Sequence, residues 1–308
     1  LTGETASAQD SRRKEVAQMR EVRLAGKPVW QRDGEWNMSS DPMPLARGNA
    51  LPYADRINTL STDEPFKWLV AGWRDFKRSG WVSLAYGGIF TVTGIVLTIG
   101  LYLAGFEYLI APMGAGFMLV GPALTVGLYA ISRDLEAGRK PNLAAAVTAW
   151  RANAVPLFGL GLALVIFLII WVRLAVMIFA LSFPYKSASL ETMVTDTLFT
   201  VEGNVFLLLG CVVGAVMASL AFVASVVSLP LLLDRKVDLV QAVVTSVVAV
   251  IMNFRVMALW AVLIVIFAAA GLASFYIGLT VILPLIGHAS WHAYRATIRP
   301  QAEATGTG

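Results

Sequence analysis

Val155–Leu181 reads VPLFGLGLALVIFLIIWVRLAVMIFAL, and Arg173 is its single charged side chain. A helix needs about 20 predominantly apolar residues to cross the hydrocarbon core of a bilayer. A helix that is apolar on every face belongs in a membrane or a deep core, not at an aqueous surface. Three further runs of the same kind lie on either side of this one, at Trp81–Ala104, Ile110–Ser132 and Val205–Leu229. The last apolar stretch, Val237–Gly287, has no long polar gap and contains only Arg255 as a basic residue. It divides into a surface helix at Asp238–Met252 and a short hairpin at Val256–Gly271 and Ser274–Gly287, and the competing division makes Val237–Phe254 a span in its own right. The composition agrees with this reading. Of 308 residues, 14% are charged and 57% apolar, against about 25% charged in an ordinary soluble domain, and the mean hydropathy is +0.69. The chain therefore reads as an all-α polytopic membrane protein.

The charges also assign an orientation. Residues 1–64 hold 9 of the 24 basic and 10 of the 20 acidic side chains and no apolar core of a secretory signal, so they read as a polar cytoplasmic extension. Residues 65–299 form the membrane domain and 300–308 a short tail. With six spans, the loops after spans 1, 3 and 5 carry one basic residue, Lys186, against Glu107, Glu191, Asp196 and Glu202. The other face carries Lys67, Arg74, Lys77 and Arg78, then Arg133, Arg139, Lys140 and Arg151, then Arg235, Lys236 and Arg255, and finally Arg295 and Arg299. Lys and Arg accumulate in cytoplasmic loops, which puts both termini in the cytoplasm. A weak repeat supports the division. Ala71-Gly-Trp73-Arg74 and Thr148-Ala-Trp150-Arg151 precede spans 1 and 3, and Asp238-Leu-Val-Gln-Ala-Val is similar to Asn142-Leu-Ala-Ala-Ala-Val. Each unit is a short cytoplasmic interfacial helix followed by a hairpin whose second helix contains or ends at Pro122, Pro230 or Pro284, giving three hairpins in all. Trp73, Arg74, Trp150, Arg151, Trp291 and Arg295 are the expected interfacial anchors.

Few residues could carry chemistry. Arg173 lies some way past the midplane of its span, where a charge is costly and calls for a partner; Glu107, Asp196 and Glu202 are the candidates. The alternative is a side chain that snorkels outward beside Trp171. His288 and His292, the only histidines, stand four apart and so share a helical face. They could contribute to a metal or haem site, or serve as structural residues hydrogen-bonded to carboxylates such as Asp134, Glu136, Asp234 or Asp238. Ala289 occupies the place of a zincin's catalytic glutamate, and the single Cys211 excludes disulfides and a cysteine-built zinc site. Gly210-xxx-Gly214-xxx-Ala218, Ser83-xxx-Gly87, and Gly114, Gly116 and Gly121 allow close helix packing, within the chain or against another. Ser11–Leu24 reads as a short basic helix that, with the glycine-bearing faces, contacts another chain. No phosphate loop, nucleophile elbow or paired intramembrane carboxylates occur, so neither enzyme activity nor a resident cofactor is expected.

Four motifs in order resemble a bacterial integral-membrane family, the domain of unknown function 2189. They are Pro65-Phe-Lys-Trp-Leu-Val-Ala-Gly-Trp-Arg74, Gly121-Pro with Gly127-Leu-Tyr-Ala-Ile-Ser-Arg133, Ser228-Leu-Pro-Leu-Leu-Leu-Asp-Arg235, and Gly287-His-Ala-Ser-Trp-His-Ala-Tyr-Arg295. The resemblance extends over about residues 65–299. The resemblance implies a bacterial inner membrane, and because some members are labelled cytochrome c oxidase subunits it also implies a respiratory setting. Two histidines cannot serve two haems and a copper, so any such link is that of an accessory chain. Three functions stay open: a non-catalytic accessory or assembly subunit among other integral membrane subunits, a small-solute or lipid transporter, and a metal- or haem-handling membrane protein. The bilayer is the expected partner in each, and nucleic acid in none.

Overall fold

The computed structural model describes residues 56–183, 197 and 199–299. Ser11–Leu24, Lys186, Glu191 and Asp196 lie outside the described residues. Helix α1, Glu64–Ser79, starts with a proline in its first turn and has Lys77 and Arg78 in its last, which suits the two ends of a helix dipole. Its buried residues Pro65, Trp68, Gly72, Asp75 and Ser79 recur every three or four positions and so form one face. Gly80, at φ 55°, ends it by adopting a conformation open to glycine and costly to other residues. The chain then enters α2, Trp81–Leu103.

The next apolar stretch is broken where one span was expected. After a 3-10 turn at Glu107–Leu109 come α3, Ile110–Leu124, and α4, Val126–Glu136, with the break at Thr125. Pro122 has no N–H to continue the ladder, and Thr125 Oγ1 donates to the Pro122 carbonyl at 2.8 Å. Helix α5, Leu143–Val147, is capped by Asn142, and a 3-10 turn at Ala149–Asn153 leads into α6, Ala154–Ser182. Helix α7, Val201–Ser225, is capped by Thr200. It is followed by α8, Ser228–Asp234, and α9, Leu239–Met252, which is capped by Asp238. Then come α10, Phe254–Ala273, and α11, Leu279–Thr297. Five stretches among the described residues are long and apolar enough to cross a membrane: Trp81–Leu103, Glu107–Glu136, Ala149–Ser182, Val201–Asp234 and Phe254–Ala273. The protein is all-α and polytopic. The stretch Val237–Phe254 is a 14-residue helix, shorter than a crossing requires. Helix α11 starts later than expected and runs ten residues beyond Gly287, because its polar C-terminal half is covered by α1.

Helix α11 packs against α1, α2, α4 and α10, and two glycines let it approach closely. A Cβ at Gly72 would lie 2.7 Å from Ala289 N, and one at Gly87 2.5 Å from Thr280 O, the carbonyl that Pro284 leaves without an N–H partner in its own helix. In the α6 region Trp171 donates to Pro112 O at 2.8 Å, and its ring fills the space over Gly116 and Gly214. The α10–α11 turn places Phe275 and Tyr276 at φ 53° and 66°, an unfavourable conformation for aromatic residues. Contacts from α2 hold Tyr276 there: Thr91 Oγ1 donates to its carbonyl at 3.0 Å and Thr98 Oγ1 to its hydroxyl at 2.8 Å.

At the other end of the bundle, the first and last described segments pair. Ile57 and Ile298 form an antiparallel bridge, Asn58 N–H donates to Thr297 O at 2.9 Å, and Arg299 N–H donates to Arg56 O at 2.9 Å. Asn253 clamps the same segment, accepting from Leu60 N–H at 2.8 Å and donating to Asn58 O at 3.0 Å. This is also the end that carries Arg133, Arg235 and Arg295, and it is called the basic end below.

Candidate functional site

Five side chains from four helices converge near the basic end. Asp75 comes from the buried face of α1, Ser83 from the first turn of α2, Ser132 from α4, and His288 and His292 from consecutive turns of α11. Asp75 Oδ2 accepts from Ser132 Oγ at 2.9 Å and bonds His292 Nε2 at 2.8 Å. Ser132 Oγ lies 2.8 Å from His288 Nδ1, and His288 Nε2 lies 2.8 Å from Ser83 Oγ. Ser79 extends the chain, with its Oγ 2.5 Å from that of Ser83.

Counting hydrogens orders this chain. Ser132 has one hydroxyl hydrogen and gives it to Asp75, so it accepts from His288, whose Nδ1 therefore carries hydrogen. A neutral His288 then has a bare Nε2, which accepts from Ser83, while Ser79, whose hydroxyl also lies 3.1 Å from the Phe76 carbonyl, shares its one hydrogen between that carbonyl and Ser83. Every polar atom of the fully buried imidazole is thereby satisfied, as a dry site demands. Burial by itself would raise the Asp75 carboxyl, but the hydrogen bonds from His292 and Ser132, with the charge of a protonated His292, outweigh it and hold the group below its ordinary 3.8.

A second polar cluster lies further along α11. Trp291 Nε1 donates to Glu136 Oε2 at 3.1 Å, Arg295 pairs with Glu136 at 2.9 Å, and Tyr294 donates to Asp234 Oδ2 at 2.7 Å. The carboxylates named from sequence as partners for the histidines thus engage other groups, with Asp134 held by Arg139 and Asp238 capping α9. The partner is Asp75. It had a legible signal, because it shares the helical face of Trp68, Gly72 and Ser79 that packs inward.

The two histidines do not turn free nitrogens toward a common point. Both nitrogens of His288 are bonded to serine hydroxyls, so a metal there would have to displace one. Among the described residues no group of three or more His, Cys, Asp or Glu side chains is placed to hold a metal ion. Arg173 lies exposed on α6, and no described carboxylate pairs with it; Glu107 and Glu202 do not reach it. Gly214 packs on Trp171, whereas a Cβ at Gly114, Gly121 or Gly210 would meet nothing within 4 Å, and Ala218 is half-buried. Trp73, Arg74 and Arg151 are exposed, Trp150 is half-buried and stacks on Phe158, and Trp291 lies in the core instead of at a headgroup.

A family described as predicted integral membrane protein (DUF2189) matches residues 109–234, from the start of α3 to the end of α8. The match covers less of the chain than the four motifs suggested, leaving Pro65–Arg74 and Gly287–Arg295 outside it. Of the five converging side chains it includes Ser132 alone. No curated protein and no solved structure matches the chain.

Proposed function

We propose that this protein is a non-catalytic accessory or assembly subunit of a larger inner-membrane complex, with six crossings and both termini in the cytoplasm. The observation that carries the reading is the division of its helical glycines. Gly72, Gly87, Gly116, Gly127, Gly214, Gly271 and Gly287 are all filled by neighbours within the chain, whereas Gly88 and Gly100 on α2, Gly114 and Gly121 on α3 and Gly210 on α7 face open space. Lipid tails are as apolar as leucine and give no reason to spend glycine on an outer face, while a second transmembrane helix does. A respiratory setting rests on the family resemblance alone. The sixth crossing is supported by parity. Residues 56–58 pair with 297–299, so the chain leaves the bundle at the end where it enters, and five crossings cannot return it there. Helix α11, about 28 Å long at 1.5 Å per residue, is the remaining helix of suitable length.

Cys211, exposed beside Gly210 on α7 and the only cysteine in the chain, provides the test. A maleimide photo-cross-linker attached there in native membranes should capture a discrete second membrane polypeptide, and Gly210→Leu should abolish the adduct while the chain remains inserted. Labelled protein that captures no polypeptide, or an adduct indifferent to Gly210→Leu, would contradict the reading.

A further inference from the structure

We infer that the outer face of α1 is a docking surface for anionic phospholipid headgroups, with its aromatic residues seated among acyl chains and its cations on the phosphates. The helix shows the bundle one face and turns another outward, where Phe66, Val70 and Trp73 recur at helical spacing and are 53%, 65% and 41% exposed. Its position fixes what that face meets. Trp68 lies edge-to-face on Trp260 at 5.6 Å, about two turns inside α10, and Gly72 lies against Leu285 and Ala289, near the middle of α11. Helix α1 therefore lies alongside the bundle helices instead of capping their ends. Its outer face is turned sideways, toward lipid, and Trp81, exposed at the start of α2, continues the same aromatic border.

Charge selects the headgroup. Arg74, Lys77 and Arg78 are exposed beside that face, and Lys77 Nζ stands 5.4 Å from the centre of the Trp73 ring. Among the described residues none of the three has a carboxylate partner, since Asp75 is committed inward to His292 and Ser132. Several other cations at this end are consumed within the protein, Lys67 by Asp63 and Glu64, Arg139 by Asp134, Arg295 by Glu136, and Arg133 by the Leu233 carbonyl, and the exposed Lys140, Arg151, Lys236 and Arg255 are scattered over separate elements. Three unpaired cations within five residues, flanking an apolar face at interfacial depth, complement a phosphate-bearing surface of negative charge.

The test is a phosphatidylglycerol titration of the full-length chain in neutral detergent, followed by native mass spectrometry, with phosphatidylcholine as the reference lipid. Each cation near an anionic surface contributes about fivefold, so Arg74→Gln/Lys77→Gln/Arg78→Gln should weaken phosphatidylglycerol binding on the order of 100-fold. A control triple at exposed basic residues on other elements of the same end, Lys140→Gln/Lys236→Gln/Arg255→Gln, should lose no more than about fivefold. Arg74→Lys/Arg78→Lys keeps the charge and should bind like the wild type, which separates loss of the site from loss of the fold. Equal losses in the two triple variants, or no preference for phosphatidylglycerol over phosphatidylcholine in the wild type, would overturn the proposal.

Discussion

Asp75 is the residue on which the buried chain of hydrogen bonds depends, and it makes two measurable demands. The first concerns His288. Ser132 gives its hydrogen to Asp75 and leaves His288 Nδ1 as the donor, although imidazole in water favours hydrogen on the other nitrogen. Nitrogen NMR of histidine-labelled protein has only two rings to resolve, and the neutral His288 ring should be in the Nδ1–H form; Ser132→Ala should erase that bias. An Nε2–H ring in the wild type would show that the hydrogens run the other way. The second demand is on acid stability. The folded state holds the Asp75 carboxyl below its ordinary value, so it contributes stability that is fully present above about pH 4 and is lost as the pH falls through the lower folded value. Between about pH 4 and pH 2 the wild type should lose more thermal stability than Asp75→Asn, whose side chain does not titrate. Parallel losses in the two proteins would remove Asp75 from the account. Neither feature could be read from His288 and His292 alone. The histidine spacing showed that they share a face, but the partner 213 residues earlier in the chain from His288 becomes visible only once α1 is recognised as a helix with a buried side.

Elements were legible to different degrees, for physical reasons. Runs bounded by abrupt changes in polarity came out almost to the residue: Trp81–Ala104 against α2 at Trp81–Leu103, and Val155–Leu181 against α6 at Ala154–Ser182. Runs with an internal proline were located but not their breaks, because Pro122 shows that a ladder bond is missing and not where the chain turns. The C-terminal half of α11 was read as helical but placed among headgroups, because polarity has two meanings in a membrane chain, the end of a span or a face covered by another helix. Glycine has the same ambiguity. Gly87 and Gly88 are neighbours in sequence with opposite surroundings, since a Cβ at Gly87 would stand 2.5 Å from a backbone carbonyl while Gly88 has nothing within 4 Å. Gly87→Ala should therefore cost about 1–3 kcal/mol through overpacking, whereas Gly88→Ala should be neutral or stabilise by up to about 1 kcal/mol through helix propensity. Thermal unfolding in one detergent compares them, and equal effects would mean that α2 and α11 do not approach as closely as described.

For the whole molecule, composition and the lengths of the apolar runs were enough to establish a polytopic all-α membrane protein. What composition could not supply was the pairing of the two ends. The Ile57–Ile298 bridge and the Asn253 clamp join segments more than 190 residues apart, one through backbone groups alone and the other through a side-chain amide that reaches backbone groups, and backbone partners have no sequence signature. That closure is what the proposal of a sixth crossing by α11, its polar half shielded by α1, rests on. Close packing on α11 and the rings of Tyr86 and Trp171 account for the inward glycines, leaving Gly88, Gly100, Gly114, Gly121 and Gly210 unexplained by anything described within the chain. A partner helix explains them. The most direct test is the mass of the particle released from native membranes by a mild detergent. A subunit predicts that the 33.2 kDa chain emerges in a larger particle with a second membrane polypeptide at fixed stoichiometry, and that Gly114→Leu/Gly210→Leu releases it. A particle containing a single copy of the chain, unchanged by those substitutions, would contradict the account.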